Sequence, residues 1–471
     1  MEKRENEKSS LIKQLWRRYT VSGSIDIWFL IIILALLCIG LVMLFSASYP
    51  YAMTYYSDST YFIRRQLLFA GIGLACMILF SKIRPEVWQK LSFIVMGITV
   101  FCLLIVFVLP QYKAGFYRWI NLGFTTFQPS EIAKFAVIVM GAFFYSKYAL
   151  HMSSSRPASA GIAGKINKKL GIMLETWILT GIFGGIFILF AIIALAESYI
   201  SGAILILALG VVVMVLSRVR PQWFIIRESW VPTWLFGGFF ILCAVLVFAE
   251  NHLSGAILIF AIGAVMMFLG GVRPRWFIVV GSAGIVLVAL LCIYIMETRD
   301  SDSVNILQTY MRERIVAWLD KDYDPTGARW QTNQALYAIG SGGLFGKGLG
   351  NSTQKYMYVS EPQNDMIFSI VCEELGFVGA SIVIILFALL VYRGVVIGMN
   401  SKTRFGCLLA MGLVFQVGLQ VILNIAVATD SMPNTGISLP FFSYGGTSLV
   451  MLMSEMGIVL SVSREGRLSK H

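Results

Sequence analysis

Charge is what this 471-residue chain lacks most: Asp, Glu, Lys and Arg make up 13% of it, where a soluble domain carries roughly a quarter. Histidine is scarce too, with His151, His252 and His471 too scattered for a zinc site. The seven cysteines lie in apolar stretches and form no CxxC pair, which argues against a disulfide framework or a thiolate metal site. The N-terminal stretch is charged and polar up to about Ser24, so no cleavable signal peptide is expected. What the chain has instead is apolar: 58% of residues are hydrophobic and the mean hydropathy is +0.78. A soluble globule cannot hide that much apolar surface, whereas a bilayer can.

Apolar runs fall near residues 25–46, 66–81, 92–110, 130–147, 174–195, 201–217, 231–248, 254–270, 276–296, 366–394, 405–428 and 441–462. A membrane-spanning helix needs about 20 apolar residues, and solid runs fit helices better than the alternation of a barrel. The expected fold is therefore an all-α polytopic membrane protein with about 12 transmembrane helices. Lys and Arg concentrate in the N-terminal tail (1–24), the C-terminal tail (463–471) and every second loop. Such asymmetry predicts that both tails are cytoplasmic, and it explains the net charge of +12 without a nucleic-acid partner. The transmembrane domain is expected over 25–462, and the long loop 297–365 should face outward.

Residues 175–226 recur at 228–279, with 29 identities in 52 positions. The shared FGG, SGAILI and VRPxWFI blocks stand in the same order in both copies, which points to a duplicated two-span hairpin. An even number of added spans leaves the downstream orientation unchanged.

Three segments are too polar for lipid packing. In RWINLGFTTFQPSEIAK (118–134), Pro129 suits the first turn of a helix, placing Glu131 and Lys134 on one face. Those two are either a structural ion pair or the wall of a cavity facing an anionic substrate. A second segment, 340–376, opens glycine-rich and contains Asp365, which is either a helix cap or a functional carboxylate whose charged form a helix N-terminus would favour. Glu361, if close, would disfavour the charged form of Asp365. The third, PNTGISLPFFSYGGTS (433–448), is either an ordinary loop or a re-entrant turn buried in protein.

Together these residues resemble the SEDS family (shape, elongation, division and sporulation), which includes FtsW, RodA and SpoVE. The resemblance rests on LFSAS (44–48), RQL (65–67), RWINLG (118–123), FQPSEIAK (127–134), RERIVAWLD (312–320), AIGSGGLFGKGLGNS (338–352), NDMIFSIVCEELG (364–376) and PNTGISLPFFSYGGTS, in that order. GLGNSTQK looks nearer the FtsW/SpoVE branch than RodA. The resemblance implies a SEDS-like bundle, usually of ten spans, here enlarged by a hairpin. It also implies a peptidoglycan glycosyltransferase that polymerises lipid II at the outer face of the bacterial cytoplasmic membrane. Expected partners are a class B penicillin-binding protein and other divisome or elongasome membrane proteins.

Asp365 occupies the position of the family's essential aspartate and is expected to act as general base. Arg65, Arg118 and Lys134 are the candidates to bind pyrophosphate, with Glu131 holding Lys134. Trp119 and Trp330 either stack on sugar or belong to an interfacial belt, and Ser443 and Tyr444 join the candidate substrate-binding set. A divalent cation, Mg or Mn, could assist, but no ligand cluster locates it. One departure stands out: where the family often reads QPDLGTA, the two copies read AESYISGA and AENHLSGA. Glu197 and Glu250 fit the first polar position, while Tyr199 and His252 replace the usual Asp. The competing readings are a lipid II flippase and a non-catalytic scaffold for the penicillin-binding protein.

Overall fold

The computed structural model describes residues 19–107, 109, 118–121, 123, 126–153, 230–250, 252–272, 306–327 and 329–467. The chain order is α1 (Ile27–Tyr56), α2 (Tyr61–Phe80), α3 (Pro85–Ile105), β1 (Ile120–Asn121), β2 (Thr126–Phe127), α4 (Pro129–Ser153), α5 (Trp230–Ala249), α6 (Leu253–Gly270), α7 (Ile306–Leu319), α8 (Trp330–Ser341), α9 (Ile367–Met399), α10 (Arg404–Ala428) and α11 (Gly446–Arg467). Six of these are long and apolar enough to cross a membrane (α1, α2, α3, α9, α10 and α11), and Leu235–Ala249 and Ser254–Gly270 are shorter apolar helices. The first repeat copy, the expected spans 174–195, 201–217 and 276–296, and loop residues 297–305 lie outside the described residues, as does most of the N-terminal tail.

α10 and α11 form the centre: 67% and 72% of their apolar windows are buried, against 17% for α3. α11 packs on α2 and α10, α9 on α1 and α10, and α4 on α3, α5, α6 and α10.

Two polar ties bracket the bundle. At one end Asp26 caps α1 through Phe29 N and receives Nε and Nη2 of Arg393 from α9. At the other, Ser46 of α1 donates to Glu374 of α9, which also takes Nζ of Lys355 at 2.9 Å. Twenty residues separate the ties on α1 and nineteen on α9. At about 1.5 Å per residue that is roughly 30 Å on both helices, the thickness of a bilayer's hydrocarbon core.

Just inside that interval, two residues after Glu374, α9 is broken at Gly376, whose φ is +68°. The break frees backbone groups that lipid could not satisfy. The glycine-rich loop satisfies them: Lys347 N and Gly348 N donate to the carbonyls of Glu373 and Glu374, and Phe377 N and Val378 N donate to those of Gly343 and Leu344. Backbone meets backbone there, because a Cβ on Gly376 would fall 2.6 Å from Leu344 O.

The segment 433–448 is re-entrant. Leu439, Phe441 and Phe442 are buried, Phe441 and Phe442 lie against Phe387 of α9, and a Cβ on Gly40 in mid-α1 would collide with Phe441 O. Non-helical backbone at that depth is tolerated because protein surrounds it.

Candidate functional site

The site gathers under the re-entrant segment. Amides recur every four residues on α10, at Gln416, Gln420 and Asn424, so they stack on one helix face. Asn424 Nδ2 donates to the carbonyls of both Asp365 and Ile437 at 2.7 Å. Gln420 Nε2 reaches O and Oγ of Ser438, while its Oε1 accepts from Lys134 Nζ at 3.4 Å. Gln416 Nε2 donates to Glu455 of α11 at 3.0 Å. This ladder joins Asp365, the re-entrant segment, α4 and α11. Among them lies a small cavity of mixed lining, with Glu131, Gln416, Gln420, Ser438, Ser443 and Glu455 facing it alongside Leu439, Phe441 and Leu449.

Asp365, two residues before α9, is not part of that lining but is tied to it: Asn424 holds its carbonyl and the lining residue Ser443 donates to the carbonyl of Asn364. The residue that caps α9 is Met366, and it makes no side-chain cap bond. The reading of Asp365 as a helix cap therefore does not hold: its carboxylate takes backbone N–H of Asp365 and Met366 rather than a later turn. Burial pushes the Asp365 pKa up to about 6, against the pull of Arg314, and Glu361 pushes it further up. Burial therefore outweighs the preference of a helix N-terminus for the charged form. Gly436, at φ +73°, leaves room beside the carboxylate; a Cβ there would sit 3.7 Å from Oδ2. Arg314 is tied down as well, donating Nη1 to Asn434 O at 2.7 Å.

Lys134 and Glu131 form a 2.8 Å ion pair with both side chains largely buried. α4 begins at Pro129, and the β1–β2 ribbon leads into it, pairing Ile120 with Phe127 and Asn121 with Thr126. That ribbon carries Arg118 and Trp119 to the same end of the bundle. The Arg118 charge acts on Glu250 and His252, which lie between α5 and α6. Gln128 Nε2 meets His252 Nδ1 at 3.3 Å. Burial pushes Glu250 up to about 9, opposed by Arg118. Burial and the charges of Arg118 and Lys134 push His252 down to about 3, so its imidazole is neutral at physiological pH.

Ser443 and Tyr444 brace the backbone just before Asp365. Ser443 Oγ donates to Asn364 O at 2.6 Å and accepts from Leu439 N. Tyr444 N donates to Gln363 O at 2.8 Å, and its ring packs edge-on against Phe62. Arg65 is exposed and stacks over Tyr61, 4.4 Å from the ring centroid. It is on the same end of the bundle but not in the cavity lining. Trp330 donates Nε1 to Tyr358 O on the surface of the loop.

Sequence reasoning left several residues of this assembly without a role. Gln416, Gln420, Asn424 and Glu455 sit in apolar helices; the i, i+4, i+8 spacing of three amides was the available signal. Arg314 was visible in RERIVAWLD, but not its proximity to Asp365. Arg329 and Asp430 form a buried 2.6 Å pair that fixes α8 against the end of α10. Among the described residues, no three His, Cys, Asp or Glu side chains converge to hold a metal ion.

Comparison with known proteins gives a consistent result. The chain matches the sequence profile of FtsW, RodA and SpoVE, described as cell cycle protein, over residues 27–236 and 225–468. It is 31% identical over 452 residues to stage V sporulation protein E of Bacillus subtilis (strain 168), covering 95% of this chain and 99% of that protein. A probable peptidoglycan glycosyltransferase FtsW of Geobacter sp. (strain M18) is 31% identical over 444 residues, covering 94% and 97%. Among solved structures, a chain of a peptidoglycan synthase complex that coordinates polymerization and crosslinking superposes with a TM-score of 0.60 at 21% identity, covering 94% of this chain and 98% of that one. The rod shape determining protein RodA of Thermus thermophilus gives 0.54 at 21% identity, covering 94% and 97%. At those identities the structural likeness establishes the shared fold.

Proposed function

The chain belongs to the FtsW/RodA/SpoVE family of multi-pass membrane proteins, and from that premise we propose that it is a peptidoglycan glycosyltransferase that polymerises lipid II at the outer face of the bacterial cytoplasmic membrane. The observation that carries this reading is Asp365: a partly buried carboxylate with its pKa held at about 6, backbone-fixed by Asn424, facing the gap at Gly436, near a cavity lined by Glu131, the ion-pair partner of Lys134.

The chemistry follows from the bond made. A β-1,4 link from an α-linked pyrophosphate donor requires inversion. The acceptor hydroxyl oxygen attacks the donor's anomeric carbon as the bond to pyrophosphate breaks. Asp365 takes the hydroxyl proton, and a pKa near 6 leaves it mostly ionised at neutral pH while still basic enough to accept that proton. Pyrophosphate leaves as an anion, so no second carboxylic acid is needed. The work left to the protein is to stabilise developing negative charge. Lys134 and Arg118 suit that role, with Glu131 and Gln420 fixing the Lys134 ammonium. Arg65, exposed on the rim, suits the entry of a charged headgroup. Ser443 and Tyr444 support the rim through the backbone of residues 363–364. The isoprenoid tails would lie along the apolar helix walls, and a class B penicillin-binding protein would crosslink the strands.

The test is conversion of labelled lipid II into glycan chains by the purified protein with its penicillin-binding partner, comparing wild type with Asp365→Asn. A ladder from wild type that vanishes in the variant supports the proposal. Ladders from both would keep the enzyme and discard Asp365 as base. No ladder from either would favour a flippase or scaffold, which a lipid II translocation assay separates.

A further inference from the structure

Two hairpins in the sequence are identical at 29 of 52 positions, and the second of them packs on α4 and α10. We propose that the second copy supplies the polar wall facing Arg118 and Lys134, through Glu250 and His252, and that their counterparts Glu197 and Tyr199 in the first copy take no part. The inference rests on the polymerase reading for its activity arm, and on geometry alone for the placement.

The second copy is built into the centre of the bundle. α5 and α6 pack on α4, and α6 also packs on α10, the two helices that carry Lys134 and the amide ladder. Met266 of α6 seats where those helices meet. A Cβ on Gly141 of α4 would lie 3.0 Å from Met266 Cβ, and one on Gly412 of α10 would lie 2.6 Å from its sulfur. The glycines form a socket for a long, flexible side chain. At the matching position the first copy has Val213, too short to reach both glycines.

The turn between α5 and α6 differs between copies in the same sense. His252 packs against Gly255, where a Cβ would lie 2.5 Å from Nδ1, and bonds to Gln128 one residue before α4. A tyrosine, as at Tyr199, would project its ring beyond that position and has no ring nitrogen to meet the amide. Glu250 is fully buried, and neither carboxylate oxygen has a hydrogen-bond partner. A buried polar group left unpaired asks for an explanation. Beside Arg118, a carboxyl that turns toward an arriving pyrophosphate headgroup or toward the guanidinium gives one. Its raised pKa is consistent with a group whose partner arrives with the ligand.

Placement is tested by crosslinking, in a background with the seven native cysteines replaced. Gln128→Cys is combined with His252→Cys or with Tyr199→Cys, and a protease site is inserted in the polar stretch 154–165. After treatment with a short bis-thiosulfonate and cleavage, the His252→Cys pair should hold the fragments together and the Tyr199→Cys pair should not. A Tyr199→Cys crosslink of equal or greater yield would overturn the placement. The role is tested by lipid II polymerisation with folded, equally expressed variants. Glu250→Ala and His252→Ala should lower kcat/KM by about tenfold or more, and Glu197→Ala and Tyr199→Ala by less than about twofold. Equal losses in both copies, or none in the second, would overturn the role. If wild type does not polymerise lipid II, the polymerase reading fails, while the crosslink still decides which copy stands beside Gln128.

Discussion

Glu373 and Glu374 on α9 and Glu250 at the end of α5 are all fully buried, yet they are treated in opposite ways. Glu373 receives Lys347, Ser352, Thr353 and the Thr353 N–H, and Glu374 receives Ser46 and Lys355. Glu250 has no hydrogen-bond partner on either oxygen. The first region is a clamp. It closes the break in α9 over the glycine-rich loop, and its charges are compensated so that nothing need move. In the second region Glu250 is left without a hydrogen bond, and Asp365 keeps a pKa raised by burial despite the charge of Arg314. Filled carboxylates hold this fold together, and unfilled ones mark where a ligand is expected.

That contrast can be broken or sharpened by substitution. Asp365→Asn should cost the most in activity, a ~10³-fold drop in polymerisation within the range of general-base catalysis, with no loss of thermal stability. Retained activity would erase the distinction between the two regions. Lys355→Ala should do the reverse, leaving Glu374 buried without its cation at a cost of about 3–5 kcal/mol. The measurement is the unfolding midpoint in detergent, and a paired Lys355→Met, Glu374→Leu variant should recover much of the loss. A midpoint unmoved by Lys355→Ala would mean the clamp is not structural.

Asn424→Ala lies between these extremes. It removes the donor shared by the carbonyls of Asp365 and Ile437, worth about 1–3 kcal/mol if both are left unpaired. Because it positions the base without touching substrate, kcat should fall by about tenfold with KM little changed. A rise in KM alone would instead make Asn424 a binding residue. Arg65→Ala should show the smallest effect, less than about threefold in kcat/KM at moderate salt, because the guanidinium is exposed and its field is screened. A larger loss would place Arg65 inside the site.

Much of this was legible in the residues. Six long apolar helices follow the apolar runs, α4 starts at Pro129, and 433–448 dips into the bundle as its prolines and glycines suggested. Glu131 and Lys134 meet because three residues on a helix are neighbours. What was not legible depended on distant partners. Adjacent glutamates in an apolar run are visible at 373–374, but Lys347, Lys355 and Ser46 become their partners only when α9 breaks and α1 packs alongside. Asp365 stood out in the sequence as a candidate, but its raised pKa comes from burial under a segment about 70 residues later in the chain. The repeat was plain in the sequence; which copy reaches the site depends on a methionine fitting two glycines on other helices.

The most direct test of the central claim is the pH dependence of kcat/KM for lipid II polymerisation, in wild type and in Arg314→Gln. Asp365 titrates at about 6 with burial raising it and Arg314 lowering it. Below that pH the carboxyl holds its proton and cannot accept another, so activity should fall about tenfold per pH unit on the acid side. Removing the Arg314 charge should shift that limb to higher pH. A profile flat from about pH 5 to 8, or a limb that Arg314→Gln leaves in place, would contradict Asp365 as the base.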